Sequence, residues 1–254
     1  FIPLINESKK MLPSLRDRFI VENADLLLPV SIRNNGELAK LIESCKEKKH
    51  LIDRRFQIPY EHRISKLKYE VKKEKMSKSV KSVKGEYVIH WTRSSSYAWP
   101  GERLQSYYAA ASICNVYPRN AFLTLQNILG TKTIKASSRH MSRNVKVVSF
   151  TGHSPQYFSS LMRWRSRYKE MSFEPYGIGI EKKAAVKFGI RPVIYQNNYQ
   201  NSTDKERWLK QTYGRLSWWP DEDEYRHPGD LDLSLFSPEQ LLCFCLTENE
   251  AELI

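Results

Sequence analysis

Three short segments carry the side chains best suited to chemistry. In Val88-Ile89-His90-Trp91-Thr92-Arg93 a polar triad closes an apolar strand. His90, Thr92 and Arg93 there either offer donors to a ligand at the strand end or satisfy nearby backbone groups. In Val147-Val148-Ser149-Phe150-Thr151-Gly152-His153 the two-residue period of a strand sets Ser149 and Thr151 on one face. Two hydroxyls so placed either hold a ligand or cap the strand. In Asp221-Glu222-Asp223-Glu224-Tyr225-Arg226 four acids follow one another. They repel at neutral pH unless something cationic faces them, so the run is either a solvated turn or an acidic site with basic neighbours.

Two further segments have two readings each. Arg163-Trp164-Arg165-Ser166-Arg167-Tyr168 alternates bases with aromatics. It reads either as a nucleic-acid contact through Arg163, Arg165 and Arg167 or as an amphipathic surface helix with Trp164 inward. Trp218-Trp219-Pro220 either stacks a flat ring or packs to fix a loop. The sequence holds no P-loop, no Gly-x-Ser-x-Gly elbow and no His/Cys cluster at zinc spacing, so ATP hydrolysis, serine-hydrolase chemistry and a metal centre are poorly supported.

Elements that would position these residues follow from local pattern. Glu86 to Arg93, Thr133–Ala136, Val145–Thr151, Gly177–Ile180, Pro192–Tyr195 and Leu241–Thr247 read as strands. A helix begins in Gln105–Ala111, a second is Ala121–Leu129 stopping at Gly130, a third is Ser154–Tyr168 with Pro155 in its first turn, and a short fourth is Lys182–Phe188 stopping at Gly189. Arg226 to Asp230 reads as a tight turn. Upstream, Ser14–Asn23 and Glu37–Lys48 read as helices around a short strand, Leu26–Ile32, and an Asn34-Asn35-Gly36 turn. The organisation is therefore an α/β fragment over 1–58, a Lys-rich linker over 59–84, and an α+β domain over 85–254.

The 254 residues suffice for a real core without staples. The formal charge of +13 favours an anionic partner: nucleic acid, an anionic surface or a polyphosphate. Glu7, Lys9 and Lys10 interrupt the opening segment before a signal-type apolar region develops, and no apolar run reaches a bilayer's width, so a cytoplasmic protein without membrane contact is expected. Of the four cysteines, Cys243 and Cys245 share a strand face and read as small buried hydrophobes in a reducing compartment. The chain opens on Phe1 and not on Met, so residues upstream of it are expected; a missing upstream domain or a protein partner is the corresponding expectation for its interactions.

Two resemblances add to this reading. The stretch RDRFIVENADLLLPVSIRNNGELAKLI resembles the second half of Rossmann-like nucleotide-sensing domains related to the DNA-processing protein DprA; the glycine-rich first half is absent. GEYVIHWTR, VVSFT, YGIGIEKKAAVKFGIRPVIY and EDEYR occur in the order His/Arg strand, Ser-x-Thr strand, Glu-x-Glu. That order is similar to the ADP-ribosyltransferase superfamily, and the stretches look like parts of bacterial abortive-infection and phage-defence families. The resemblance implies a split antiparallel sheet and NAD as substrate without a metal. It further implies Glu224 as the late catalytic carboxylate and Glu222 as its partner. His90 and Thr92 would lie beside the ribose, Arg93 at the pyrophosphate, and Ser149 and Thr151 in support of the site. Trp91 stands where one branch has Gly, and both His90 and Arg93 are present, so neither branch is selected. The alternative is a non-catalytic protein that binds nucleic acid or senses a nucleotide.

Overall fold

A computed structural model describes residues 12–45, 51–60, 66–72, 76–84, 86–114, 117–139, 141, 144–166, 168, 170–196, 206–213 and 219–254. The chain divides into two compact units, Phe1–Arg63 and Ile64–Ile254.

In the smaller unit, α1 (Leu12–Asn23) and α2 (Glu37–Ser44) each bury an apolar residue, Val21 and Ile42. Asn35 takes the left-handed conformation that the Asn-Asn-Gly turn calls for, at φ 58°. The expected strand over Leu26–Ile32 shrinks to a parallel bridge, Leu27 to Ile52. Pro29 has no N–H to extend such a ladder.

The larger unit is a mixed α+β fold. Its elements are α3 (Lys78–Ser82), β1 (Tyr87–Trp91), α4 (Leu104–Ile113), α5 (Ala121–Thr131), β2 (Thr133–Ile134), β3 (Val147–Thr151), α6 (Phe158–Leu161), β4 (Trp164–Arg165), β5 (Glu170–Met171), β6 (Gly177–Glu181), α7 (Lys182–Lys187), β7 (Arg191–Pro192), β8 (Ile194–Gln196), β9 (Lys210–Thr212), β10 (Glu224–Pro228), β11 (Leu231–Asp232), β12 (Leu241–Phe244) and α8 (Glu248–Ala251). Six strands form one antiparallel sheet in the order β12-β6-β1-β3-β10-β7. Three two-stranded sheets pair β2 with β11, β4 with β5, and β8 with β9.

Both faces of the central sheet are covered. On one, Val88, Val148, Phe150, Ile178, Ile180 and Tyr225 pack against α5 and α7. On the other, Ile89 and Trp91 pack with Phe158 and Phe244. Gly177 makes room there: a Cβ would lie 2.6 Å from the Trp91 ring and 2.8 Å from the His90 carbonyl. Helix α5 forms because Asn120 caps it, its Oδ1 accepting the Leu123 N–H at 2.8 Å, and because Ala121, Leu125 and Ile128 recur on one buried stripe. It runs past the expected stop at Gly130, and Lys132 ends it in the left-handed region at φ 50°.

Further expectations change. Arg226 to Pro228, read as the opening of a tight turn, continue strand β10, where Arg226 pairs with Ser149 and with Arg191. The single helix over Ser154–Tyr168 is instead a 3₁₀ turn at Pro155–Tyr157, the short α6, and a β4–β5 hairpin pairing Trp164 with Met171 and Arg165 with Glu170. The alternation of Arg163, Trp164 and Arg165 thus serves a strand, not a helix face. The Lys-rich stretch is not wholly a linker: its described residues 66–72 and 76–84 belong to the larger unit, where the Tyr69 hydroxyl donates to Glu174 at 2.5 Å and Val71 packs on the Trp91 cluster. Cys243 is exposed on edge strand β12, and Cys245, past its end, packs on the core. Among the described residues no helix is long and apolar enough to cross a membrane.

Candidate functional site

Alternation along β3 and β10 builds the site. Val148 and Phe150 enter the core on one face, so Ser149 and Thr151 leave on the other; Tyr225 enters the core, so Glu224 and Arg226 leave with them. The strands pair Ser149 with Arg226 and Thr151 with Glu224. Across that ladder the Ser149 hydroxyl donates to Glu224 Oε1 at 2.9 Å. Arg226, only 3% exposed, clamps the same carboxylate with Nε to Oε1 at 2.8 Å and Nη2 to Oε2 at 2.9 Å. Its remaining donors reach the Trp208 carbonyl at 3.1 Å and Gln211 Oε1 at 2.7 Å, so the guanidinium is itself held rigid.

The acidic run does not behave as four equivalent charges. Asp221 and Asp223 are exposed, whereas Glu222 and Glu224 turn inward. The loop is stapled to the end of β3: Thr151 Oγ1 donates to the Glu222 carbonyl at 2.7 Å, the Gly152 N–H donates to the Asp223 carbonyl at 2.8 Å, and His153 Nε2 donates to the Asp221 carbonyl at 2.6 Å. Gly152 permits this approach, since a Cβ would lie 2.7 Å from the Tyr225 ring. Asp223 adopts φ 43°, a region Asp tolerates better than most residues.

Arginines meet the inward carboxylates. Glu222 lies 3.2 Å from Arg163 Nη2 and 3.3 Å from Arg165 Nη2, both delivered by the β4–β5 hairpin and its entry. Burial pushes the Glu222 carboxyl above the usual carboxylate range, Arg165 pulls it back, and the Glu224 charge adds to the upward push. Glu170, 3% exposed, faces Arg139 at 3.0 Å and Arg93 at 3.7 Å. The Arg139 guanidinium also lies 4.5 Å from the Tyr97 ring centroid. Arg93 feels the charges of Arg139, Arg165 and Glu222, so it belongs to the same cluster. Among the described residues, five guanidiniums (Arg93, Arg139, Arg163, Arg165, Arg226) are thus set among three carboxylates (Glu170, Glu222, Glu224). Within this inward-facing set the guanidiniums outnumber the carboxylates by two, with the exposed Asp221 and Asp223 on the loop outside it.

His90 and Thr92 are placed otherwise. His90 shares the face of Val88, against the edge of Phe150 at 5.8 Å between centroids, opposite to the face carrying Ser149 and Glu224. Its Nδ1 lies 2.9 Å from the Ser149 carbonyl. Burial lowers the imidazole's pKa, so the ring is neutral near pH 7. A carbonyl only accepts; Nδ1 therefore carries the proton and Nε2 is left as an acceptor. The contact sits where β1 and β3 part, since their one registered pair is Ile89 with Thr151. Thr92, 2% exposed, pins the end of β1, its hydroxyl shared between the Ala121 carbonyl at 2.8 Å and the Tyr176 carbonyl at 3.1 Å. Arg167 and Trp218 lie outside the described residues.

The structure therefore brings Glu224, Glu222, Ser149, Thr151, Arg93, Arg163 and Arg165 together and leaves His90 and Thr92 on the α5 side. Sequence reading missed Arg226, Arg139, Glu170 and Gln211. Arg226 had a signal, as it lies one strand period beyond Glu224. Arg139 has none, and Glu170 little, because each becomes part of the site only through long-range packing. Among the described residues no group of three or more His, Cys, Asp or Glu is placed to hold a metal ion. No family model, no curated protein and no solved structure matches the chain.

Proposed function

We propose that the larger unit is an ADP-ribosyltransferase-like domain of a bacterial defence or toxin-type protein, with NAD as its substrate and the Glu224 cluster as its active site. The observation that carries this reading is the Ser149–Glu224 hydrogen bond, made across neighbouring strands by residues 75 apart in sequence. In support, the strands bearing His90, the Ser-x-Thr pair and Glu224 lie side by side as β1-β3-β10. The parting of β1 from β3 after a single registered pair is compatible with a split sheet.

The residues suit the chemistry in kind. Surplus guanidinium charge at Arg93 and Arg139 suits a pyrophosphate. When the nicotinamide–ribose bond breaks, nicotinamide leaves with the bonding pair and positive charge develops on the ribose. Glu224, fixed by Ser149 and Arg226, supplies the preorganised negative charge for it. The acceptor, water or a larger molecule, then adds to the ribose carbon and loses a proton. Glu222, beside Glu224 and with its proton affinity raised by burial, would receive that proton. Because His90 emerges on the opposite face, Arg93 is the better candidate for the ligand contact from the first strand.

The test is nicotinamide release from NAD by wild type beside Glu224→Gln. The amide keeps an oxygen for Ser149 and Arg226 but not the charge, so kcat falls roughly 100- to 1,000-fold; because the buried Arg226 loses its counter-charge, the variant also melts earlier and the two proteins are compared below its transition, where circular dichroism shows both folded. Absence of both release and NAD binding by calorimetry in the wild type overturns the reading.

A further inference from the structure

A cavity of about 350 Å³ lies at the start of α5, inside the larger unit. That is large enough for a small ligand. Four rings line it, those of Tyr69, Tyr117, Phe122 and Tyr176, together with Ser94, Asn120 and Glu250; among the described residues no Lys or Arg is on its wall, in a chain of formal charge +13.

Three of the hydroxyl protons on this wall are committed to carboxylates. Tyr176 donates to Glu250 Oε1 at 2.8 Å. Tyr69 donates to Glu174 at 2.5 Å, and Ser94 Oγ donates to the same Glu174 carboxylate at 2.9 Å. Glu174, fully buried behind the wall, takes the Ser94 N–H as well, at 2.5 Å. With those protons engaged, the three hydroxyls keep acceptor lone pairs, beside the aromatic rings and Asn120. The α5 N-terminus would by itself favour an anion. Two of its leading N–H groups are already occupied, Ala121 by Ser94 Oγ at 3.2 Å and Leu123 by Asn120 Oδ1 at 2.8 Å.

We propose that this cavity binds a small organic cation of the ammonium class, its positive head against the rings and Glu250. Ring faces attract such a head by their quadrupole, and a neighbouring carboxylate adds a direct charge contact. The site is separate from the Glu224 cluster and does not depend on the reaction proposed there.

Isothermal titration of the full chain at fixed ionic strength tests it, with choline as the probe and 3,3-dimethylbutan-1-ol as its uncharged isostere. Two variants complete the set. Glu250→Gln keeps the Thr247 capping box that holds α8, because Gln serves that motif as Glu does. Phe122→Leu keeps an apolar side chain but removes a ring. Choline should bind saturably and about tenfold more tightly than the isostere, with both variants weakening it at least about fivefold while melting at the wild-type temperature or close to it. No preference for choline over the isostere overturns the proposal. So does wild-type affinity in either variant, which would locate the binding elsewhere.

Discussion

Two buried carboxylate clusters within the larger unit are built from different partners. Glu174 takes its hydrogen bonds from neutral donors, the Tyr69 and Ser94 hydroxyls and a backbone N–H, is fully buried, and feels the charge of Arg93 without a bond to it. Glu224 is held by one hydroxyl and a bidentate guanidinium, and Glu222 beside it by two further arginines. A carboxylate held by neutral donors ties segments together: Glu174 joins the residue 66–72 stretch to the end of β1. A carboxylate set among a surplus of cations stands in a field able to receive an anionic ligand. On the proposed reading, the Glu224 cluster is the place for chemistry and the Glu174 cluster is scaffold.

The comparison breaks most readily at Arg226. Arg226→Met removes the buried cation beneath Glu224 and leaves the carboxylate with Ser149 alone. Unfolding in urea should show a loss of about 3–5 kcal/mol, and nicotinamide release should fall with it. Glu174→Leu should cost less, about 1–3 kcal/mol, because it strands hydroxyl donors and not a charge, and nicotinamide release should be unaffected.

Acidity sharpens the contrast. Burial raises the Glu174 carboxyl from its ordinary 4.5, against the pull of Tyr69 and Ser94. The folded state therefore holds this proton to higher pH than the unfolded chain does. Its stabilising contribution is complete below the ordinary glutamate pKa and is lost as pH rises through the raised folded value. In Glu174→Gln that decline with pH, followed by urea denaturation from pH 4 upward, should be shallower than in wild type. Glu222 is raised for the same leading reason, so the acidic limb of nicotinamide release should lie above the ordinary carboxylate range and change position in Glu222→Gln. An unchanged limb removes Glu222 from the proton transfer.

The smallest expected effect is at the rim. The Arg163 side chain is 55% exposed, so its pair with Glu222 is screened. Arg163→Gln should change stability by less than about 1 kcal/mol while weakening NAD binding, most visibly at low salt. A loss of stability comparable to that of Arg226→Met would show that the two arginines are not as different as their burial implies.

Much of the site's local geometry was legible. The two-residue period of Val147 to Thr151 already set Ser149 with Thr151, because a strand alternates its faces whatever its neighbours are; the same period carried on from Glu224 reaches Arg226, which the local pattern instead assigned to a turn. The turn at Asn34 to Gly36 was equally local. The helix expected over Ser154–Tyr168 was not, since a run of Arg and Trp fits a helix face or a hairpin until Met171 and Glu170 arrive to pair with it.

What the sequence determined by itself was which side chains travel together on a strand and which residue types were at hand. Only the tertiary structure decided which strands became neighbours, and so which groups 75 residues apart would meet. It also decided which face of β1 looks into the arginine cluster. Val88 and Ile89 are both fully buried, on opposite faces, so no contrast of polar against apolar along that strand announced where His90 would point. Arg139 and Glu170 entered the site the same way, through packing between distant segments that carries no period a reader of the chain can follow.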